Sequence, residues 1–169
     1  MSESQVVDCD KNDGGCNGGW YDTAWQYINE EGGVESTADY PYHPRNGVCK
    51  AGQNDFVAGL SGCWGGPNTY CDNNGLVGDE AVLKQMLNDR PIAVAVDATD
   101  FQFYSSGIMT CHHIFHNLNH AVFAAGYGTD YWIVKNSWGK SWGEDGYVRV
   151  KMGDNPCGIA DYPAYAIAN

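Results

Sequence analysis

A chain of 169 residues, 43% of them hydrophobic and 13% aromatic, can bury a core as one domain or two small lobes and is not a disordered tail. Its net charge of −12 argues against nucleic acid or an anionic membrane as partner, and no apolar run approaches the ~20 residues that span a bilayer. Seven cysteines, none in a Cys-x-x-Cys pair, indicate an oxidising compartment rather than a zinc site.

In chain order, residues 1–19 read as a polar loop ending in Gly14-Gly15-Cys16-Asn17-Gly18-Gly19. Trp20 to Glu31 reads as a helix: Trp20, Ala24, Trp25 and Ile28 share one side, and Gly32-Gly33 stops it. Tyr40-Pro41-Tyr42-His43-Pro44 is extended or turned, since neither proline suits a helix. Phe56 to Asn74, rich in Gly, Asn and Asp, is expected to cross between lobes and form an irregular loop around Cys63 and Cys71. A second helix is predicted from about Asp79 to Asn88, with Val82, Leu83, Met86 and Leu87 apolar and Pro91 beyond its end. Ile92 to Val96 is a continuous apolar strand, Phe101 to Ile108 is short and aromatic, and Gly146 to Met152 alternates as a strand does. There is no internal repeat and no low-complexity linker.

Two stretches anchor the chain. Leu118 to Gly128 and Tyr131 to Gly139 each read as a strand, and the short link at 128–130 makes them an antiparallel hairpin or near neighbours. His120 at the mouth of the first and Asn136 late in the second can then meet. An imidazole works as a base when its other nitrogen is held, and an amide oxygen can hold it. Trp138, two residues on, can cover that bond. Taken singly, such a His or an Asn-Ser-Trp-Gly turn is as often structural; in this order, within one long match, the chain resembles the papain and cathepsin cysteine peptidases. The cathepsin L-like branch fits best, through Val7-Asp8-Cys9, Gly15-Cys16-Asn17-Gly18-Gly19, Tyr40-Pro41-Tyr42, Gly139 through Trp142-Gly143 to Gly146-Tyr147, and Cys157-Gly158-Ile159-Ala160. Only Cys63 to Asn74 and the His112 to Asn117 loop fall outside the match.

The resemblance implies an α+β, two-lobed papain-like fold: 1–60 as the remainder of a helical lobe, incomplete here, and 61–169 as an antiparallel β-barrel lobe. It implies an endopeptidase in which His120 is the catalytic histidine, Asn136 its orienting partner and Trp138 the covering indole. Gly18 and Gly19 would pair with an extended peptide backbone, where missing side chains allow close approach. Tyr21, Ala95, Ala121 and Tyr162 would wall an apolar pocket for the second residue before the cut, with Asn119 beside them. Disulfides are expected for Cys9 with Cys49 and for Cys111 with Cys157.

The family's nucleophilic cysteine and oxyanion-hole glutamine are not among these residues, and Cys16 pairs in the family with a cysteine beside that nucleophile. An odd cysteine count without a visible export signal leads to the same expectation, that the chain is incomplete. Gly62-Cys63-Trp64 mimics a nucleophile motif, but Gly65-Gly66-Pro67 cannot start the helix that would activate it; a Cys63–Cys71 disulfide is the simpler reading. The chain is therefore expected to be inactive and unstable alone. It would need an upstream nucleophile-bearing segment, or another protein covering the exposed helical-lobe face; the alternative is a non-catalytic binding or structural relative. No cofactor or metal is expected: His112, His113 and His116 read as a solvated or pH-sensitive loop, and the acidic residues near the start as a solvated face. Family and cysteines together place such a protein in a lysosome or vacuole, or outside the cell.

Overall fold

In the computed structural model, which describes residues 1–66, 70–71, 79–112 and 116–169, the chain forms two compact units. The first comprises 1–73 with 166–169, the second 74–165. Residues 61–65, read from sequence as the start of the second lobe, lie in the first unit, as do the last four residues.

The first unit corrects one expectation. Within the stretch read as loop, Glu3–Cys9 is a helix (α1). Ser2 caps it, accepting from the Gln5 amide at 3.1 Å, and Glu3 complements the helix dipole in the first turn. The sequence hid α1 because its inward residues are polar. Buried Gln5 donates to the Tyr27 hydroxyl and the Gly33 carbonyl and accepts from the Glu35 amide at 2.7 Å, so its amide is satisfied at both ends. At the other end of α1, the Asp8 carboxylate receives the Tyr40 hydroxyl at 2.8 Å, the Gly47 amide at 2.6 Å and His43 Nε2 at 3.1 Å. Burial, helped by that carboxylate, pushes the Tyr40 hydroxyl up to about 12. A Cys9–Cys49 disulfide closes the same loop.

Helix α2, Tyr21–Glu31, ends at Gly32, whose φ of 90° suits a residue without Cβ. The stripe predicted to face inward, Trp20, Ala24, Trp25 and Ile28, is only half-buried; Asp22 and Tyr27 are the residues of α2 that are buried. Strand β1, Leu60–Gly65, was read as irregular because of its glycines. It runs beside the chain's return, with the Ser61 hydroxyl donating to the Ile167 carbonyl and the Asn169 amide to that of Gly59.

The second unit follows the predicted pattern closely. Helix α3, Glu80–Leu87, is capped by Asp79, which accepts from the Ala81 and Val82 amides. Strand β2, Ile92–Val96, is buried throughout, as its unbroken apolar run requires. A short strand β3, Ile108–Met109, precedes β4, His120–Tyr127, and β5, Tyr131–Lys135. Strand β6, Tyr147–Lys151, alternates buried and half-buried positions before turning exposed at Lys151. A final strand not read from the sequence, β7, Ala164–Ala168, begins here, with Ala164 paired to Ala93 of β2. The sheet is largely antiparallel: β4 lies against β2 and β5, β5 against β6, and β3 joins β6 in parallel. Between β4 and β5 the register shifts by a bulge between Ala124 and Gly126. Leu83, Ile92, Val94, Val96, Phe101, Trp132, Val134, Val148, Val150 and Ile159 make the core, and Cys111 is bonded to Cys157.

Candidate active site

His120 opens β4 and lies opposite Val96 of β2. Asn136 follows β5 directly and is fixed through its backbone, its amide donating to the Gly146 carbonyl at 2.9 Å. The hairpin thereby places His120 Nε2 at 2.8 Å from Asn136 Oδ1. A second contact decides the roles. The Ser137 amide, which can only donate, also points at Asn136 Oδ1 from 2.8 Å, so that atom is the oxygen. His120 must then donate from Nε2, which leaves Nδ1 of the neutral ring as the basic nitrogen. Asn136 itself is only 7% exposed, and its Nδ2 has no partner among the described residues.

Trp138 lies with its ring 5.2 Å from that of His120, tilted by 32°, but it remains 43% exposed, so it covers one side of the histidine while its own outer face meets solvent. Two residues that the sequence reading did not single out support it. Trp142 meets Trp138 edge-on at 5.3 Å and stacks on Phe101 at 5.9 Å, and Phe101 also touches Trp138. The turn that carries Trp142 is held by Glu144, which receives Arg149 through both carboxylate oxygens at 2.6 and 2.8 Å. The Arg149 guanidinium, aided by the Gly107 amide, draws the Glu144 carboxyl down to about 2. A spacing of four after Trp138 and the aromatic run at Phe101 were the signals available for this cluster.

Of the expected binding residues, Ala95 and Ala121 are register partners one step from the histidine, Ala95 buried and Ala121 exposed. Asn119 serves the backbone: its Oδ1 accepts from the Ala98 amide at 2.9 Å and its own amide donates to the Val96 carbonyl. Tyr162 lies half-buried just before β7. Gly18, Gly19 and Tyr21 belong to the first unit. There Gly19 packs so tightly on Asp13 that a Cβ would fall 2.2 Å from its carboxyl carbon, and Tyr21 opens α2 with its ring 6.0 Å from Trp20 and 5.6 Å from Trp25. Cys63 is bonded to Cys71, as expected, which removes it as a thiol; Cys16 is free and exposed. In the second unit both described cysteines are used by the Cys111–Cys157 bridge. His116 pairs with Asp161 at 3.3 Å, and His113 lies outside the described residues.

A histidine polarised by a buried amide oxygen and flanked by an indole suits proton transfer to and from a nucleophile. The sequence profile described as papain family cysteine protease matches residues 1–167. The viral cathepsin of Orgyia pseudotsugata multicapsid polyhedrosis virus is 44% identical over 165 residues, covering 94% of the chain and 48% of that protein. Vignain of Phaseolus vulgaris is 40% identical over 184 residues, covering 100% and 48%. Among solved structures, digestive procathepsin L2 from Tenebrio molitor superposes with a TM-score of 0.87 at 38% identity over 99% of the chain and 53% of that protein. The bromelain protease from Ananas comosus gives 0.84 at 40% identity, over 99% and 77%. The chain thus spans about half the length of the curated relatives it matches.

Proposed function

The chain belongs to the papain family of cysteine proteases, and from that premise we propose that it carries the acid–base half of a cysteine endopeptidase site. His120 Nδ1 takes the proton of a cysteine thiol, giving a thiolate–imidazolium pair. The thiolate attacks a peptide carbonyl, His120 returns the proton to the leaving amine, and water hydrolyses the acyl-enzyme. Asn136 holds the ring through Nε2, and Trp138 screens one side of it. The observation that carries this reading is the shared Asn136 Oδ1, held by Ser137 and His120 together, because it leaves the imidazole only the tautomer that chemistry needs.

The attacking thiol is supplied, on this reading, by a cysteine outside these 169 residues, and the oxyanion donor with it, so the chain alone is inactive. Cys16 is the natural anchor for the segment that brings them. Gly18 and Gly19 take the backbone of an extended peptide; Ala95, Ala121 and Tyr162 favour an apolar side chain two positions before the cut, with Asn119 next to the histidine. The three disulfides suit a lysosomal, vacuolar or secreted setting.

A second reading, a non-catalytic member that binds a partner protein, is favoured by one observation: the unit that holds His120 has no free thiol among its described residues. The mass of natively isolated material, before and after reduction, separates the two. A second chain released on reduction and mapped to Cys16, with loss of peptide cleavage when an alkylating reagent labels a cysteine outside these residues, establishes the peptidase. A single species of this chain's mass, inert toward peptides and stably associated with another protein, overturns it.

A further inference from the structure

Asp8, near the end of α1, is the acceptor on which the 40–47 segment closes. Its side chain is only 1% exposed and receives three donors: the Gly47 amide on Oδ1 at 2.6 Å, and on Oδ2 the Tyr40 hydroxyl at 2.8 Å and His43 Nε2 at 3.1 Å. The other ring nitrogen of His43, Nδ1, lies 2.9 Å from the Arg45 carbonyl oxygen. A carbonyl oxygen and a carboxylate oxygen only accept, so both ring nitrogens must donate, and a ring that donates from both is an imidazolium. The backbone around it is held separately: the His43 amide donates to the Ser4 hydroxyl at 2.9 Å and the Arg45 amide to the His43 carbonyl at 2.9 Å. The remaining charged groups near the ring, Glu35, Asp39, Arg45 and Lys50, line the cavity beside it. Glu35 is taken up by the Gly52 amide and Asn54, and Asp39 by the Ser36 hydroxyl, so Asp8 is the carboxylate that His43 meets.

The residue between Arg45 and Gly47 carries this hold to the glycine strip. Asn46 Oδ1 accepts from the Cys16 amide at 2.7 Å, and a Cβ at Gly15 would fall 2.6 Å from the same oxygen. Cys16 lies inside a closed turn. The Asn17 amide donates to the Gly14 carbonyl, the Gly18 amide to the Gly15 carbonyl, and the Gly14 amide to the Gly18 carbonyl at 2.8 Å. Gly18 is thus tied to the turn that holds Cys16, and Asn46 seats that turn.

We infer that His43 is a positioning residue for this turn: its imidazolium ties the Arg45 carbonyl to the Asp8 carboxylate, and so keeps Asn46 against the Cys16 amide and the glycine strip in place. The inference rests on the assignment of Gly18 and Gly19 to peptide backbone given above. A neutral ring has one proton left. The buried carboxylate retains it through Nε2, because a hydrogen bond to a charged acceptor is the stronger one. Nδ1 then faces the Arg45 carbonyl as acceptor against acceptor; that contact opens, and the seat at Asn46 with it. The turn is therefore firmest while His43 carries its second proton, and the hold is lost as pH rises through the His43 titration.

The test follows the ring nitrogens of His43 and the exchange protection of the Cys16 amide by NMR in the full native protein, from acid to mildly alkaline pH. Cys16 protection is expected to fall in step with the loss of the Nδ1 proton, by roughly 2–10-fold in all, the worth of one hydrogen bond, while Nε2 keeps its proton. His43→Gln, neutral throughout, should give a flat and low profile. Asn46→Ala should leave the His43 titration in place and abolish the step at Cys16. A wild-type Cys16 profile that ignores His43, a neutral ring that keeps its proton on Nδ1, or a step that survives in either variant would each overturn the inference. In parallel, KM for a fluorogenic dipeptide amide with leucine in the second position before the cut should be lower in wild type than in His43→Gln at acid pH. The two values should converge as His43 loses its proton, at a kcat ratio that stays level. A Cys16 profile that behaves as stated while the two KM values never differ removes the peptide assignment of the strip and leaves the His43 hold on Cys16 standing.

Discussion

His120 and Asn136 divide one task between them, and substitution should separate the shares. With the nucleophile present, His120→Ala removes the base and is expected to lower kcat by about 10²–10⁴-fold. Asn136→Ala keeps the imidazole but frees its Nε2, so the loss in kcat should be smaller, with KM little changed; steady-state kinetics on one peptide substrate distinguish them. Both residues were legible in the sequence because each sits at a strand end fixed by the neighbouring pattern. Phe101 and Trp142 were not, because an aromatic residue reads the same in a core as behind an active-site indole until the ring contacts are known. At Glu144 a pH effect follows from its lowered pKa. A depressed carboxylate contributes stability that is fully present above its ordinary range near 4.5 and is lost as pH falls toward about 2. Glu144→Gln should therefore flatten the acid limb of thermal stability between those values, with the mutant and wild-type melting temperatures converging below it. Asp10 runs with the opposite sign: raised on folding, it stabilises in acid, and its contribution fades as pH rises through the shifted value.

Elements were recovered where their period was carried by apolar residues and missed where it was not. The run at β2 and the alternation at β6 are hydrophobic signals, and both strands appear where the residues place them. Helix α1 turns a serine and a glutamine inward, so its pattern resembles a loop until the partners of Gln5 are seen, and β1 is interrupted by glycines. Strand β7 lies among small residues, in a stretch from which no element was read. The caps carry energy that can be checked directly. Asp79 satisfies two of the free amides at the start of α3, and Asp79→Ala should cost about 1 kcal/mol in urea unfolding. Leu83, on the inward side of that helix, is completely buried, and Leu83→Ala should cost about 2–5 kcal/mol through lost burial and the cavity left behind.

At the scale of the whole molecule, covalent cross-links share the work of the core. Cys9–Cys49 and Cys111–Cys157 close loops with sequence separations of 40 and 46, and each lies within one unit. Replacing Cys9 and Cys49 together by serine should lower unfolding stability by about 2–5 kcal/mol, read by chemical denaturation under non-reducing conditions. The return of 166–169 to the first unit was not legible in the sequence, because its pairing with β1 joins residues about a hundred positions apart and leaves no local trace. That return has a consequence in time. Ser61 and Ile167 are separated by 106 positions, and a ribosome adding about 5–20 residues per second needs roughly 5–20 s to deliver the second after the first. Throughout that interval the nascent chain holds β1 with an unpaired edge, the kind of surface that holdase chaperones shield and that crowded, arrested translation products use to find one another.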